Sequence, residues 1–145
     1  MPAVEIALGT IPLVGSLFIH GAGMFLVMRA FERHGVPIYR SGRAGQVFFG
    51  AMVGIALTTH LVEMLVWAAT LVVLGAIAGY RDAFYFVAGT YTTLGYGEGT
   101  LTKEWRLLGP MIGISGLFAF GWTTGVLVNL VSQAYGERSK GTGGA

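Results

Sequence analysis

The chain has 145 residues, of which 54% are hydrophobic and 11% are charged, and its mean hydropathy is +0.68. A soluble domain carries about 25% charged residues, so this composition argues against a soluble enzyme. It predicts instead a single domain whose apolar surface lies in a lipid bilayer. The net charge of +2 gives no indication of nucleic-acid binding, and the lack of cysteine excludes disulfides and thiolate metal sites.

The first apolar segment, Ile11 to Met28, has no charged residue and approaches the length of about 20 residues that spans a bilayer. A signal peptide would have a basic start and a small-residue cleavage site, whereas Glu5 precedes this segment and arginine ends it. A shallow interfacial helix is the other alternative. We expect a retained transmembrane helix with its N-terminus outside, followed by a basic cytoplasmic loop from Arg29 to Arg43. Together they form an N-terminal region over 1–45.

Two further apolar segments complete the predicted membrane part of the chain. Gln46 to Tyr80 has one formal charge, and Leu107 to Gly136 has none. The first of them exceeds a hydrocarbon core of about 30 Å at about 1.5 Å per residue, so it should tilt or protrude. The polar, glycine-rich tail over 137–145 is predicted to be disordered. Its Arg138 and Lys140 place the C-terminus in the cytoplasm, as expected for a multi-pass protein of the cell membrane.

The stretch from Thr92 to Glu98, TTLGYGE, has the residues that indicate a function. Glycine adopts backbone angles that other residues avoid, so alternating glycines allow consecutive carbonyl groups to turn the same way. Such a row, together with a threonine hydroxyl, forms a dehydrated cage for a monovalent cation. A phosphate-binding loop requires a βαβ unit, and a glycine-rich extracellular turn is a second alternative. The preceding residues, Asp82 to Thr92, favour the cage, since they have the length, aromatic content and acidic start of a short pore helix.

This stretch resembles the selectivity filter of potassium channels, Thr-Val-Gly-Tyr-Gly-Asp, with Leu94 for valine and Glu98 for aspartate. From Phe84 to about Ser132 the chain looks like the family's pore module, and its wider pattern resembles small bacterial potassium channels. In this family four pore loops surround one axis. Because the chain has one such loop, the resemblance implies a homotetramer in the bilayer.

The resemblance also implies residue roles. K⁺ is then the permeant ion and no other cofactor is expected. The filter's support includes Tyr85 and Phe86, against which Tyr96 is expected to pack. Gly89 and Glu98 depart from the family's buttressing glutamate and aspartate, which puts the conductive lifetime of the filter in question. The ion sites are assigned to Thr93, Leu94, Gly95 and Tyr96, with Gly97 at the outer mouth, and the support to Thr92, Glu98, Tyr85 and Phe86.

The last apolar segment has two candidate gating features. Gly116 is followed five residues later by Phe120-Gly121 with the spacing of the family's hinge glycine, although glycines in such a segment more often indicate close helix packing. Thr124, Val128 and Ser132 share one helix face, and Val128 is a candidate for a hydrophobic gate if that face lines the pore.

His60 and Glu63 share a helix face in the second segment, and His20 lies near the middle of the first. Ionisable residues in a span are costly and indicate function by default. Three interpretations remain open: a hydrogen-bonded packing cluster, a pH sensor that biases the gate, and a metal site of two histidines and a carboxylate.

The sequence therefore predicts an all-α, potassium-selective channel with three transmembrane helices per subunit and a re-entrant pore loop. A weakly selective cation channel and a non-conducting membrane subunit or transporter component are the alternatives. The pore domain over 46–136 is divided into an outer helix 46–80, a pore helix 82–92, a filter 93–98 and an inner helix 107–136.

Overall fold

The computed structural model describes residues 2–39, 42–95 and 101–142, without the side chains of 36–39 and 135–142. Within these ranges the chain forms four helices and no strand. The helices are α1 (Pro2–Tyr39), α2 (Arg43–Val73), α3 (Tyr80–Tyr91) and α4 (Leu108–Thr142).

Helix α1 is longer than the apolar segment that predicts it. It spans 38 residues, or about 57 Å at 1.5 Å per residue, so one end extends beyond a hydrocarbon core of about 30 Å. Most of the predicted loop from Arg29 to Arg43 is therefore helical. Arginine and glutamate are good helix formers, and α1 continues to Tyr39 although glycine and proline, at Gly35 and Pro37, disfavour a helix interior.

Helix α2 ends at Val73, seven residues before the predicted boundary at Tyr80. Gly75 adopts a left-handed conformation with φ 69°, and its N–H donates to the Val72 carbonyl while the Ala76 N–H donates to the Leu71 carbonyl. These two bonds form a Schellman motif, which glycine stabilises because it has no Cβ. The motif reverses the chain and directs it into α3.

Helix α3 corresponds to the predicted pore helix, with bounds one or two residues earlier than 82–92. Helix α4 begins one residue after the predicted start of the inner helix and continues to Thr142. It therefore includes most of the tail that the sequence analysis assigned to a disordered segment.

Contacts along α1 define the relative directions of the helices. Glu5 Oε1 accepts a hydrogen bond from the N–H of Leu107, at the start of α4, and Ser16 contacts Ser115 farther along. Helices α1 and α4 are therefore parallel. Helix α2 is antiparallel to both, since His60 contacts Thr123 whereas Trp67, farther along α2, contacts Ser115 nearer the start of α4. Helix α3 packs against α2 and α4 and ends at Tyr91, level with the middle of the other three.

Two apolar clusters stabilise the bundle. One joins α2, α3 and α4 around Trp67, Leu71 and Tyr91, and the other joins α1, α2 and α4 around Met24, Met52 and Leu130. Between the two clusters lies a layer of buried polar side chains, described below.

Three of the helices are long and apolar enough to cross a membrane: Pro2–Gly35, Arg43–Val73 and Leu108–Ala134 within the residues described. Large apolar side chains on their outer faces are exposed, including Phe18, Leu57 and Phe118. An exposed apolar surface of this extent indicates a lipid or protein environment, which agrees with the predicted all-helical membrane fold.

Candidate functional site

The backbone that follows α3 turns back along the helix. Thr92 caps the helix, its N–H donating to the Ala88 carbonyl, and its hydroxyl donates to the same carbonyl at 2.6 Å. The N–H of Thr93 donates to the Thr90 carbonyl, and that of Gly95 donates to the Gly89 carbonyl at 3.0 Å. These bonds hold the segment 92–95 against the C-terminal turn of α3.

The segment alternates in backbone handedness. Thr93 has φ 61° and Gly95 has φ 66°, whereas Leu94 between them has no positive φ. A left-handed conformation costs a β-branched residue such as threonine on the order of 1–3 kcal/mol, and residues under such strain cluster at functional sites. Alternating handedness of the backbone is what the predicted cation cage requires.

The side chains around this segment are unevenly covered within one chain. Leu94 is 63% exposed and Tyr85 is 62% exposed, whereas Phe86 is half-buried and packs against the cluster formed by α2, α3 and α4. Tyr96, Gly97 and Glu98 lie outside the described residues. Their assigned roles, and the contact of Tyr96 with Tyr85 and Phe86, remain predictions.

The structure brings His20, His60 and Glu63 together with Tyr91 and Thr123, and we call these five side chains the polar ring. His20 Nδ1 lies 2.7 Å from Glu63 Oε1, and the Tyr91 hydroxyl donates to Glu63 Oε2 at 2.6 Å. His60 Nδ1 lies 2.9 Å from the Tyr91 hydroxyl. Thr123 Oγ1 closes the circle, at 3.1 Å from His60 Nε2 and 3.2 Å from His20 Nε2.

All four helices contribute to the polar ring. His20 lies on α1, His60 and Glu63 on α2, Tyr91 at the end of α3 and Thr123 on α4, and each is buried. Phe120 stacks on His60 with ring centroids 4.5 Å apart, and Trp122 lies 5.3 Å from His20. The ring therefore links the three long helices to the residue that directly precedes Thr92.

The same cluster has the donor set of a metal site. Ligand atoms of His20, His60 and Glu63 lie within 4.8 Å of one another, and two imidazoles with a carboxylate suit zinc or iron. Each of these side chains is already hydrogen-bonded, however, and no buried side-chain nitrogen or oxygen of the described residues lacks a partner. A metal ion would therefore have to replace bonds of the ring.

A smaller polar contact, formed by Ser16, Trp67 and Ser115, lies between the polar ring and the N-terminal ends of α1 and α4. The Trp67 Nε1–H donates to Ser115 Oγ at 3.2 Å, and Ser115 Oγ lies 3.2 Å from Ser16 Oγ. Ser16 also donates to the Leu13 carbonyl within its own helix. The contact joins α1, α2 and α4 where Trp67 is fully buried.

We expect Ser115→Ala to lower the free energy of unfolding by about 1–3 kcal/mol, since it leaves the buried Trp67 N–H without an acceptor. Thermal unfolding of the purified protein in detergent measures the loss. Ser16→Ala is the matched control, with a smaller loss expected because Trp67 keeps its bond to Ser115. Equal losses in the two variants would contradict this assignment.

The candidate hinge, Gly116, lies at the closest approach of α4 to α3. A Cβ at this position would lie 2.8 Å from the Tyr91 carbonyl carbon and would overlap the carbonyl oxygen. Close helix packing, the interpretation favoured by the residues alone, thus describes Gly116 here, while its role as a hinge remains a prediction. Thr124 and Val128 are exposed within one chain, so their face is free for a pore, a neighbouring subunit or lipid.

Sequence reasoning missed Tyr91 and Thr123 as partners of the buried ionisable residues. Tyr91 was assigned only to the pore helix, and on α4 it was the exposed Thr124 that was selected rather than its buried neighbour. A usable signal existed, because Thr123, Val126, Leu130 and Ala134 recur at helical spacing opposite the exposed face.

The fold and the apolar helices define a multi-pass membrane protein. The family model described as Ion channel (Ion_trans_2) matches residues 59–133, more than half of the chain. The protein therefore belongs to this ion channel family, which confirms the predicted class of ion channel. No curated protein and no solved structure matches the chain. The matched region includes His60, Glu63, all of α3 and most of α4.

Proposed function

We propose that the protein is a homotetrameric, potassium-selective channel in which residues 93–97 of four chains form the filter. The observation that carries this proposal is the alternation of left-handed backbone at Thr93 and Gly95, directly after a short helix whose inner face is buried. Conduction then consists of exchanging the hydration shell of K⁺ for carbonyl oxygens. No covalent chemistry is involved.

The depth and exposure of the segment support a tetramer. Helix α3 ends level with the middle of three membrane-length helices, and Thr93, Leu94 and Gly95 are exposed within one chain. Non-helical backbone at membrane depth requires surrounding protein or a water-filled cavity. Four copies of the segment around a common axis satisfy both conditions, because each copy is covered by its neighbours and the axis holds the ions.

The direction of α3 supports cation selectivity. Its C-terminal end carries the partial negative charge of the helix dipole, and this end lies at Tyr91 and Thr92, beside the proposed inner end of the filter. Four such ends would lower the energy of a cation in the cavity below the filter.

Reconstitution of the purified protein into liposomes tests the proposal. With a potassium gradient we expect a K⁺ flux at least about tenfold above that of Na⁺, equivalent to a free-energy difference of about 1.4 kcal/mol. A reversal potential measured under a K⁺/Na⁺ gradient gives the selectivity, and the mass of the detergent-solubilised protein gives the number of subunits. Equal fluxes of K⁺ and Na⁺ would favour a weakly selective channel, and no flux would favour a non-conducting subunit. Any assembly other than a tetramer would contradict the proposal.

A further inference from the structure

The polar ring needs a defined number of protons to form all of its hydrogen bonds. It has five hydrogen bonds, joining His20 to Glu63, Glu63 to Tyr91, Tyr91 to His60, His60 to Thr123 and Thr123 to His20. Each bond requires one proton. The two hydroxyl groups supply one each, and two neutral imidazoles supply one each. Four protons therefore leave one bond unmade when Glu63 is ionised and both histidines are neutral.

A fifth proton completes the ring and also removes its net charge. With this proton between His20 Nδ1 and Glu63 Oε1, the His20 Nε2–H donates to Thr123, Thr123 donates to His60, His60 donates to Tyr91 and Tyr91 donates to Glu63. The charge of the Glu63 carboxylate is balanced by the added proton. A neutral ring is strongly favoured at membrane depth, where an unbalanced charge is costly.

Loss of the fifth proton has a defined structural result. Two neighbouring atoms of the ring are then both acceptors, with no proton between them. A net negative charge also remains among side chains that are only 0–8% exposed. The nearest other charged residues along the helices are Arg29 on α1, Arg43 on α2 and Asp82 on α3, and α4 has none from Leu108 to Ala134. No charged group on these helices near the ring compensates for the loss.

The position of Tyr91 connects the ring to the filter. The Tyr91 hydroxyl makes two hydrogen bonds of the ring, to His60 and Glu63. The Tyr91 backbone is joined by a peptide bond to Thr92, whose N–H and hydroxyl both donate to the Ala88 carbonyl. The Tyr91 carbonyl lies against Gly116 on α4. A displacement of the Tyr91 backbone would therefore also displace Thr92 and the strained backbone at Thr93.

We propose that the polar ring is a proton-dependent positioning device for the filter, with Tyr91 and Thr123 as positioning residues. With five protons the ring holds the end of α3, and with it the segment 92–95, in the conducting arrangement. With four protons the ring opens and conduction falls. This inference rests on the proposed channel function.

Glu63→Gln separates proton counting from packing. The glutamine amide can donate to Tyr91, Tyr91 to His60, His60 to Thr123, and Thr123 to His20, whose Nδ1–H donates to the amide oxygen. All five bonds then form with neutral histidines and no added proton. We expect this variant to conduct K⁺ and to lose the decline in flux that the unmodified protein shows toward alkaline pH.

Variants that remove a hydroxyl should behave differently. Tyr91→Phe and Thr123→Val each delete two ring bonds with little change of shape, so we expect K⁺ flux about tenfold lower at every pH, in the range expected for a lost buried hydrogen bond. Thr123→Ser restores the hydroxyl and should restore both the flux and its pH profile. Thr58→Val is the matched control, because the exposed Thr58 hydroxyl bonds only the Gly54 carbonyl of its own helix among the described residues.

The deciding experiment measures K⁺ flux in liposomes and the melting temperature in detergent over an acidic-to-alkaline pH series for these proteins. We expect both quantities to fall toward alkaline pH in the unmodified protein and to be nearly flat in Glu63→Gln. Identical profiles in the two proteins would overturn the inference while leaving channel function intact, as would normal flux in Thr123→Val. No K⁺ flux at any pH would overturn the proposed function and the coupling to the filter, whereas the melting profiles would still decide whether the ring binds a fifth proton.

Discussion

Gly116→Ala is expected to destabilise the folded protein by about 3 kcal/mol or more. The added methyl group would overlap the Tyr91 carbonyl, and a backbone group cannot rotate away as a side chain can. Overpacking costs about 1–3 kcal/mol in most cores and more where the neighbours cannot move. Helices α3 and α4 must therefore separate, which displaces the end of α3 next to the proposed filter. Thermal unfolding in detergent and K⁺ flux in liposomes should both show the loss.

Gly121→Ala and Gly54→Ala are the matched controls for this prediction. Nothing lies within 4 Å of the position of a new Cβ at either glycine. Because alanine favours a helix over glycine by about 1 kcal/mol, these variants should be as stable as the unmodified protein or more stable. If Gly116→Ala had the same melting temperature as the two controls, the close approach of α3 and α4 at Gly116 would be contradicted.

Gly95→Ala is expected to abolish selective K⁺ flux. Nothing within 4 Å obstructs the added Cβ, but Gly95 has φ 66°, where a side chain costs about 1–2 kcal/mol. An alanine would relax that angle and turn the adjacent carbonyl groups away from the axis of the proposed tetramer. Ion flux and the K⁺/Na⁺ reversal potential measure the effect.

Gly75→Ala is the control for backbone strain without a filter. Gly75 has φ 69° and equally open surroundings, but it ends α2 rather than lining the proposed ion path. We expect a similar loss of stability with unchanged selectivity. Should Gly95→Ala retain the selectivity of the unmodified protein, the backbone at residues 93–95 would not be the ion-binding element.

Gly116, the polar ring and the segment 92–95 meet at the end of α3. The end of α3 contacts Gly116 through the Tyr91 carbonyl, the polar ring through the Tyr91 hydroxyl, and the strained segment through Thr92. Helix α1 takes part through His20, although it lies before the region matched by the channel family. The extra helix is therefore part of the support for α3 and not a separate anchor.

Hydropathy located the three long helices, and aromatic content together with an acidic start located the short helix between the last two. The ends were less accurate. Helix α1 continues through a charged stretch that was predicted to be a loop, since charge opposes burial and does not oppose helix formation. Helix α2 stops at a Schellman motif that depends on Gly75, one of many glycines in apolar surroundings.

For the polar residues, the sequence predicted the shared face of His60 and Glu63, which follows from helix spacing. It also suggested that His20 joins them, because His20 lies near the middle of its own segment. It could not predict that Tyr91 and Thr123 close the ring, because this depends on how each helix is rotated and how deep it lies. The sequence also does not predict the strained backbone at Thr93, since threonine has no intrinsic preference for a left-handed conformation.

By itself, then, the sequence determined which segments are apolar enough to span a membrane and which stretch can expose a row of carbonyl groups. The tertiary structure decided that four helices share one ring of hydrogen bonds and that α4 touches α3 at Gly116. The physical reason is that hydropathy and backbone freedom are local properties of the chain. Hydrogen bonds between helices depend on distances of about 3 Å, which only the packed bundle fixes.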